Sequence, residues 1–372
     1  MSDAPAPTLL DYTPAGAIAA LAAWLTARGE PAYRAAQVVP RLWQRPIASW
    51  SEASDLPAGL RSALADAWPL PRLHLDVRQA SADGTEKFLW RLPDGEAIES
   101  VLIPEGARRT LCISSQAGCP LRCAFCATGT MGLHRNLAAW EIAAQVRELM
   151  LLEGGAKPTN IVFMGMGEPL LNWPAVAAAL TILNDAQGIG IGARHITVST
   201  VGILPGLAAL AKRPEQFRLA ISLHAPTSDV RLRLMPIEKK YKLADVIAAI
   251  RQFSRRVTFE YVLIADVNDR PQDAQALAAL ARKAGAMVNL LPLHPGGGQP
   301  LERSPGRRMH AFAASLKRRG VEAVLRKSRG LDIAAACGQL RLAEDRREVP
   351  AQPDADIDQA ARVRRGAHRA GA

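Results

Sequence analysis

Cys119-Pro120-Leu121-Arg122-Cys123-Ala124-Phe125-Cys126 is the stretch that decides how this chain is read. Three of the five cysteines fall within these eight residues. Thiolates at this density hold soft metals, either zinc or the iron of iron–sulfur clusters. A closed structural zinc site takes four Cys or His ligands, commonly as two separated pairs. Here one tight triplet stands without a second pair, so a zinc reading has to borrow a distant histidine. A cubane cluster has one more iron than the triplet has thiols, which leaves an iron open to a small molecule.

Composition narrows the setting. With 372 residues, 49% of them hydrophobic, the chain can bury a large core and is expected to hold one main domain and an accessory one. A formal net charge of +11 favours a polyanionic partner. The opening MSDAPAPTLLDYTPAG lacks a basic region followed by an apolar run, so no signal peptide is expected. No apolar stretch reaches membrane-spanning length, so no membrane partner is expected. Clustered cysteines fit a reducing cytosol better than a disulfide scaffold, which implies a cytoplasmic location.

Outward from the triplet, the chain divides into four parts. Residues 1–72 read as a small helical accessory domain, with helices over Ala17–Leu25 and Pro31–Val39 and a cap at Ser54-Asp55-Leu56-Pro57. Arg34, Arg41 and Arg45 there either touch a phosphate backbone or form a solvated helix face, the second being the ordinary case. Residues 73–104 read as a β-meander: His74–Val77, Lys87–Leu92 and Ala97–Ile103, separated by Asp83-Gly84 and Asp94-Gly95 turns. Residues 105–342 alternate strands and helices. Strands fall at Asn160–Met164, His195–Ser199, Phe217–His224, Val257–Ile264 and Met287–Leu291, with helices such as Leu137–Leu152 and Val176–Asn184 between. Repeated β-then-α units predict a parallel sheet and a full or partial (β/α) barrel, with chemistry at the C-terminal ends of its strands. Beyond Leu342 the pattern is lost, and residues 343–372 are expected to be a disordered tail.

Several strand ends carry polar or small residues. Gly165-Met166-Gly167-Glu168-Pro169 places two glycines and a carboxylate where a ligand can approach the backbone and an ammonium can pair. Ser199 and Ser222-Leu223-His224 also end strands, although helix capping is the ordinary role of such a serine. Cys112 lies seven residues before the triplet, at the end of an expected strand. Cys337, followed by Gly338-Gln339, lies far downstream in an expected loop, where an inert thiol is the bland alternative.

The triplet, spaced Cys-x3-Cys-x2-Cys, resembles the radical S-adenosylmethionine (SAM) superfamily, and the surrounding segments resemble its RlmN/Cfr family of RNA methyltransferases. The matching segments are DGTEKFLWRLPDGEAIESVLIP, LCISSQAGCPLRCAFCATGTMGLHRNL, GMGEPLLN, SLHAPTSDVRLRLMPIEKKY, YVLIADVND and RGLDIAAACGQL. With Pro31–Gln37 they span about Gly29 to Leu340. The resemblance implies a partial (β/α) barrel of the radical SAM type. It also implies one [4Fe-4S] cluster on Cys119, Cys123 and Cys126, with SAM on the open iron. Gly167, Glu168, Ser199, Ser222, Leu223 and His224 fall on the family's SAM contacts. Cys337 corresponds to the cysteine that one SAM methylates, Cys112 to its resolving partner, and Glu99 to a proton acceptor. His294 departs from the pattern, standing where the family commonly has an Asn contacting SAM.

The activity implied is methylation of carbon 2 of an adenine in 23S rRNA and of a tRNA adenine beside the anticodon. Methylation at carbon 8 is the alternative within the family, and a non-catalytic zinc-bound RNA-binding protein is the alternative outside it. Electron-poor ring carbons do not attack SAM directly, and a radical route removes that obstacle. In the implied sequence a second SAM yields a radical that activates methylated Cys337. The carbon then joins RNA to protein, and a Cys112–Cys337 disulfide accompanies release. A flavodoxin or ferredoxin is the implied electron donor. The target base must be unstacked to reach the site.

Overall fold

The computed structural model of the chain describes residues 8–340 apart from 153, 254 and 295. The tail expected over 343–372 therefore lies outside the described residues. Four helices open the chain: α1 (Pro14–Thr26), α2 (Arg34–Val38), α3 (Pro40–Trp43) and α4 (Ala58–Ala67). Thr13 starts α1, its hydroxyl accepting the Gly16 N–H at 3.3 Å, and Pro14 occupies the first helical position. The helix expected over Pro31–Val39 is shorter, because Pro31–Tyr33 form a turn and Pro40 begins α3. Ser54 and Asp55 do not cap α4. Pro57 occupies that position, and the Asp55 carboxylate pairs with Arg41 instead. Arg34 likewise pairs with Glu30 at 2.9 Å.

The strands β1 (His74–Ala80), β2 (Glu86–Arg91), β3 (Ala97–Glu105) and β4 (Arg108–Cys112) pair antiparallel in sequence order. Gly84 and Gly95, with φ of +82° and +91°, make the first two turns. A short pair, β5 (Gln116–Gly118) with β6 (Leu133–Asn136), brackets the cysteine triplet and α5 (Ala127–Met131). Then come α6 (Ala139–Leu151), β7 (Asn160–Phe163), α7 (Trp173–Asn184), β8 (Ile196–Thr200), α8 (Leu204–Ala211) and β9 (Arg218–Ser222). The series ends with α9 (Ser228–Leu234), α10 (Leu243–Ile250), β10 (Thr258–Leu263), α11 (Pro271–Ala284), β11 (Met287–Pro292), α12 (Gly306–Arg318) and β12 (Ala323–Leu325).

Ten strands form one sheet in the order β1-β2-β3-β4-β7-β8-β9-β10-β11-β12. Every pair from β4 to β12 is parallel, so the C-terminal ends of seven strands share one rim. β1 and β12 are the two edges, so the sheet is an open, partial barrel, and the meander continues the same sheet. Strands such as β10 are buried almost throughout, as expected where helices cover the outer face and side chains fill the inner one.

A buried ion pair fastens the N-terminal helices to the barrel. Arg147 of α6 is fully buried; it donates to the Leu42 carbonyl at 3.1 Å and the Ile47 carbonyl at 2.6 Å. Its charge is met by Glu148 at 2.9 Å, which Arg72 also grips at 2.6 Å. Burial holds the Arg147 guanidinium below its usual range, and Glu148 opposes that. Removing either partner would strand a charge in the core, which is the costly way to lose such a pair.

Candidate active site

The triplet is held from both sides. The Cys119 N–H donates to the Gly132 carbonyl at 2.6 Å, and Gly118 is needed beside it because a Cβ there would sit 2.0 Å from the same oxygen. Ala124 N–H donates to the Leu234 carbonyl of α9 at 2.9 Å, and Ala127 N–H to the Gly338 carbonyl at 2.7 Å. Cys119 and Cys123 are buried and Cys126 is half-buried. All three line one cavity of about 160 Å³ at the strand rim. Burial, then the neighbouring thiol Cys126, pushes Cys123 well up, while burial lifts Cys119 to about 12 and raises Cys126. A nearby cation reverses such shifts, so the donor set suits a positively charged, sulfur-seeking metal group. Among the described residues no three His, Cys, Asp or Glu side chains converge as ligands of a single ion. A cluster, whose ligands attach to separate irons, has no need of that convergence.

Ten of the thirteen residues singled out from the sequence line this cavity: the three cysteines, Gly167, Glu168, Ser199, Ser222, His224, His294 and Cys337. Glu168 follows β7 and is buried. Its oxygens accept the Leu170 N–H at 3.0 Å and the Val201 N–H at 2.9 Å. Burial nevertheless lifts its carboxyl to about 7, a cost that an ammonium beside it would remove. Gly167 has φ +99°, and a Cβ there would meet Gln116 at 2.6 Å. That contact matters because Gln116 accepts the Glu168 N–H at 2.8 Å and so sets the turn.

His224 sits at φ +53°, with its Nδ1 accepting the Val262 N–H at 3.1 Å. The ring is therefore a neutral imidazole with its proton on Nε2, packed edge-on to Phe125 at 4.6 Å. Burial, then the charge of Arg231, depresses it to about 3. Arg231 is itself fully buried, paired with Glu238 and donating to the Val201 carbonyl at 2.5 Å. Ser199 and Ser222 hydroxyls lie 3.3 Å apart on adjacent strands. His294, after β11, lies 2.8 Å from the Ser328 hydroxyl through Nε2.

Three of the singled-out residues stand off the cavity lining. Leu223 is fully buried and presents its backbone, donating to the Glu260 carbonyl at 3.0 Å. Glu99 on β3 is buried beside Lys87, at 3.6 Å. Cys112, buried at the end of β4, has its thiol raised by burial and then by Cys337. Both are free thiols. Cys337 is exposed as a residue, yet its thiol is ringed closely enough that desolvation, then Glu260, pushes it up to about 11.

The loop carrying Cys337 is anchored at both ends. Toward its start, Gly330 N–H donates to Asp83 at 3.0 Å, Ser81 to Asp332 at 2.6 Å, and Lys87 Nζ to the Ile333 carbonyl at 2.5 Å. Toward its end, besides the Gly338 bond, Thr128 donates to the Leu340 carbonyl at 2.7 Å. Sequence reading passed over Glu260, a cavity-lining carboxylate on β10. Its signal was the one charged residue in the strand Val257–Ile264.

Comparison with known proteins agrees with this geometry. The Radical SAM superfamily description matches residues 113–278. A probable dual-specificity RNA methyltransferase RlmN from Gemmatimonas aurantiaca is 60% identical over 344 residues, covering 92% of this chain and 96% of that protein. The dual-specificity RNA methyltransferase RlmN of Anaeromyxobacter dehalogenans is 45% identical over 331 residues, covering 86% and 89%. The crystal structure of a radical SAM methyltransferase from Sphaerobacter thermophilus superposes with a TM-score of 0.83 at 43% identity, covering 90% of this chain and 99% of that one. With identity this high across nearly full-length relatives, the chain belongs to the RlmN family of the radical SAM superfamily.

Proposed function

We propose that the chain methylates carbon 2 of an adenine in 23S rRNA, and of a tRNA adenine beside the anticodon, with Cys337 carrying the one-carbon unit. The observation that supports this most is that one cavity wall holds both the cysteine triplet and Cys337. Cys119, Cys123 and Cys126 would hold a [4Fe-4S] cluster. When bound, the cluster and SAM supply the reducing and radical chemistry that activates an inert methyl group.

The chain's own residues do the rest. Glu168 meets the methionyl ammonium of SAM, which removes the desolvation cost of its charge. Gly167, Ser199, Ser222, the Leu223 backbone and His224 seat the remainder, with His294 in place of the family's usual Asn. Cys337 takes the methyl group and presents it to the base. Glu99, charge-balanced by Lys87, accepts the proton that the ring gives up. Cys112 releases the product by closing a disulfide to Cys337, which must later be reduced, and a flavodoxin or ferredoxin is the electron donor that feeds the cluster. The net charge of +11 suits a polyanionic substrate.

Mass spectrometry of rRNA and tRNA from a deletion strain, before and after complementation, tests this reading. Loss and return of 2-methyladenosine in both RNAs is the expected result. Loss of 8-methyladenosine instead would make the chain a carbon-8 enzyme. Unchanged modification would refute the assignment.

A further inference from the structure

We propose that Glu260 is the base that takes the proton from the Cys337 thiol as that sulfur accepts its methyl group, a step that rests on the function proposed above. In register, Glu260 stands between Ser222 on β9 and Asn289 on β11, which places all three on one face of the sheet. Glu260, Ser222 and Cys337 all line the same cavity. Asn289 Nδ2 donates to Glu260 Oε1 at 2.9 Å. Among the described residues the other carboxylate oxygen has no hydrogen-bond donor, although the residue is only 7% exposed. That oxygen is not sealed from solvent, so it is open to take up a proton, and among the described residues neither a helix cap nor an ion pair uses this carboxylate.

The chemistry requires such a group. A thiolate is the nucleophile, and an ordinary cysteine thiol is mostly protonated near neutral pH. In the transfer, a bond forms between Cys337 Sγ and the methyl carbon, and the sulfonium–methyl bond breaks. The electron pair of that bond leaves on the donor sulfur, giving a neutral thioether. The thiol proton passes to the Glu260 carboxylate and from there to water. Burial raises Glu260 itself, which makes it a stronger base than an exposed carboxylate. Arg326, in the segment after β12, opposes the rise at both groups, and Cys126 adds to it at Cys337. His224 and His294 line the same cavity, and Cys112, off its lining, is a further thiol that senses Cys337.

The test uses full-length, cluster-loaded protein with SAM and no RNA, comparing wild type with Glu260→Gln. Cys337 methylation is followed by peptide mass spectrometry, SAM affinity by equilibrium dialysis, and Cys337 acidity by the pH dependence of its alkylation with iodoacetamide. The Gln variant should methylate about 100-fold more slowly at neutral pH, recover at alkaline pH, and bind SAM as before. Its alkylation midpoint should fall, because the negative charge beside the thiol is gone. A purely electrostatic neighbour gives the opposite pairing, with more thiolate and faster methylation. Methylation within about twofold of wild type, or faster, overturns the proposal, as does loss of SAM affinity. If the Gln variant fails to fold, Glu260→Asp decides: a slower rate with unchanged SAM affinity supports the base, and an unchanged rate overturns it. Wild-type protein that never methylates Cys337 overturns the proposed function together with this step. A methylated wild type with an unaffected variant overturns Glu260 alone.

Discussion

The Gly338 carbonyl accepts the Ala127 N–H at 2.7 Å, so the residue after Cys337 is tied to the residue after Cys126. The thiol that we assign to carry carbon is thus registered against the loop that we assign to the cluster. Gly338 has φ +83°, and a Cβ there would lie 3.2 Å from the Phe125 carbonyl. Gly338→Ala should strain the turn by about 1–2 kcal/mol. Iron content and SAM affinity should stay normal while RNA methylation falls. Normal methylation in this variant would show that the tie does not position Cys337.

Cys123→Ser removes one of three thiols lining the cavity. Iron and sulfide analysis after anaerobic purification should show the cluster lost and turnover abolished, with the circular dichroism of a folded barrel retained. Serine nearly matches cysteine in volume, so the core around position 123 stays filled.

His294→Asn should keep SAM affinity near wild type, since the amide can both donate and accept a hydrogen bond as the imidazole does. His294→Leu can do neither and should weaken SAM binding about tenfold, as measured by equilibrium dialysis. Equal affinity in both variants would remove His294 from the cofactor site.

His224 makes a prediction about stability and pH. Its pKa falls from 6.5 when unfolded to about 3 when folded. The folded state therefore binds fewer protons than the unfolded state within that window. The contribution is complete above the unfolded value and is lost as pH falls toward the folded one, reaching about 2 kcal/mol lost near pH 5. Glu168, raised to about 7, slopes the other way, so the difference between wild type and His224→Gln isolates the histidine. Urea denaturation at several pH values should show the wild type losing more stability than the variant between about pH 6.5 and 5. Parallel slopes would mean that His224 is not held neutral.

Periodicity made the barrel legible, because β7, β8, β9, β10 and β11 are apolar runs ended by glycine or polar residues. The cysteine spacing did the same for the cavity wall. What stayed hidden was whatever depends on long-range placement. Arg147 reads as one more helix charge, yet it fastens α6 to carbonyls about a hundred positions away. Asp83 and Lys87 read as turn and strand residues, yet they anchor the Cys337 loop. Asp55 read as a cap, but Arg41 draws its carboxylate away. Glu260 was masked by its strand, since nothing local separates a cavity-facing acid from a tolerated exposed one.

The paired-cysteine account is tested most directly in Cys112→Ala protein. Cys112 and Cys337 are both free thiols, Cys337 adds to the rise of the Cys112 thiol, and of the two only Cys337 lines the cavity. If Cys112 resolves the tether, the variant should methylate Cys337, attach to RNA and stop there. The measurement is peptide mass spectrometry of nuclease-trimmed protein purified from cells. The account predicts a nucleotide joined to Cys337 through one carbon, and no such adduct in Cys337→Ala. Free methylated RNA from Cys112→Ala at wild-type yield, with an unmodified Cys337 peptide, would contradict it.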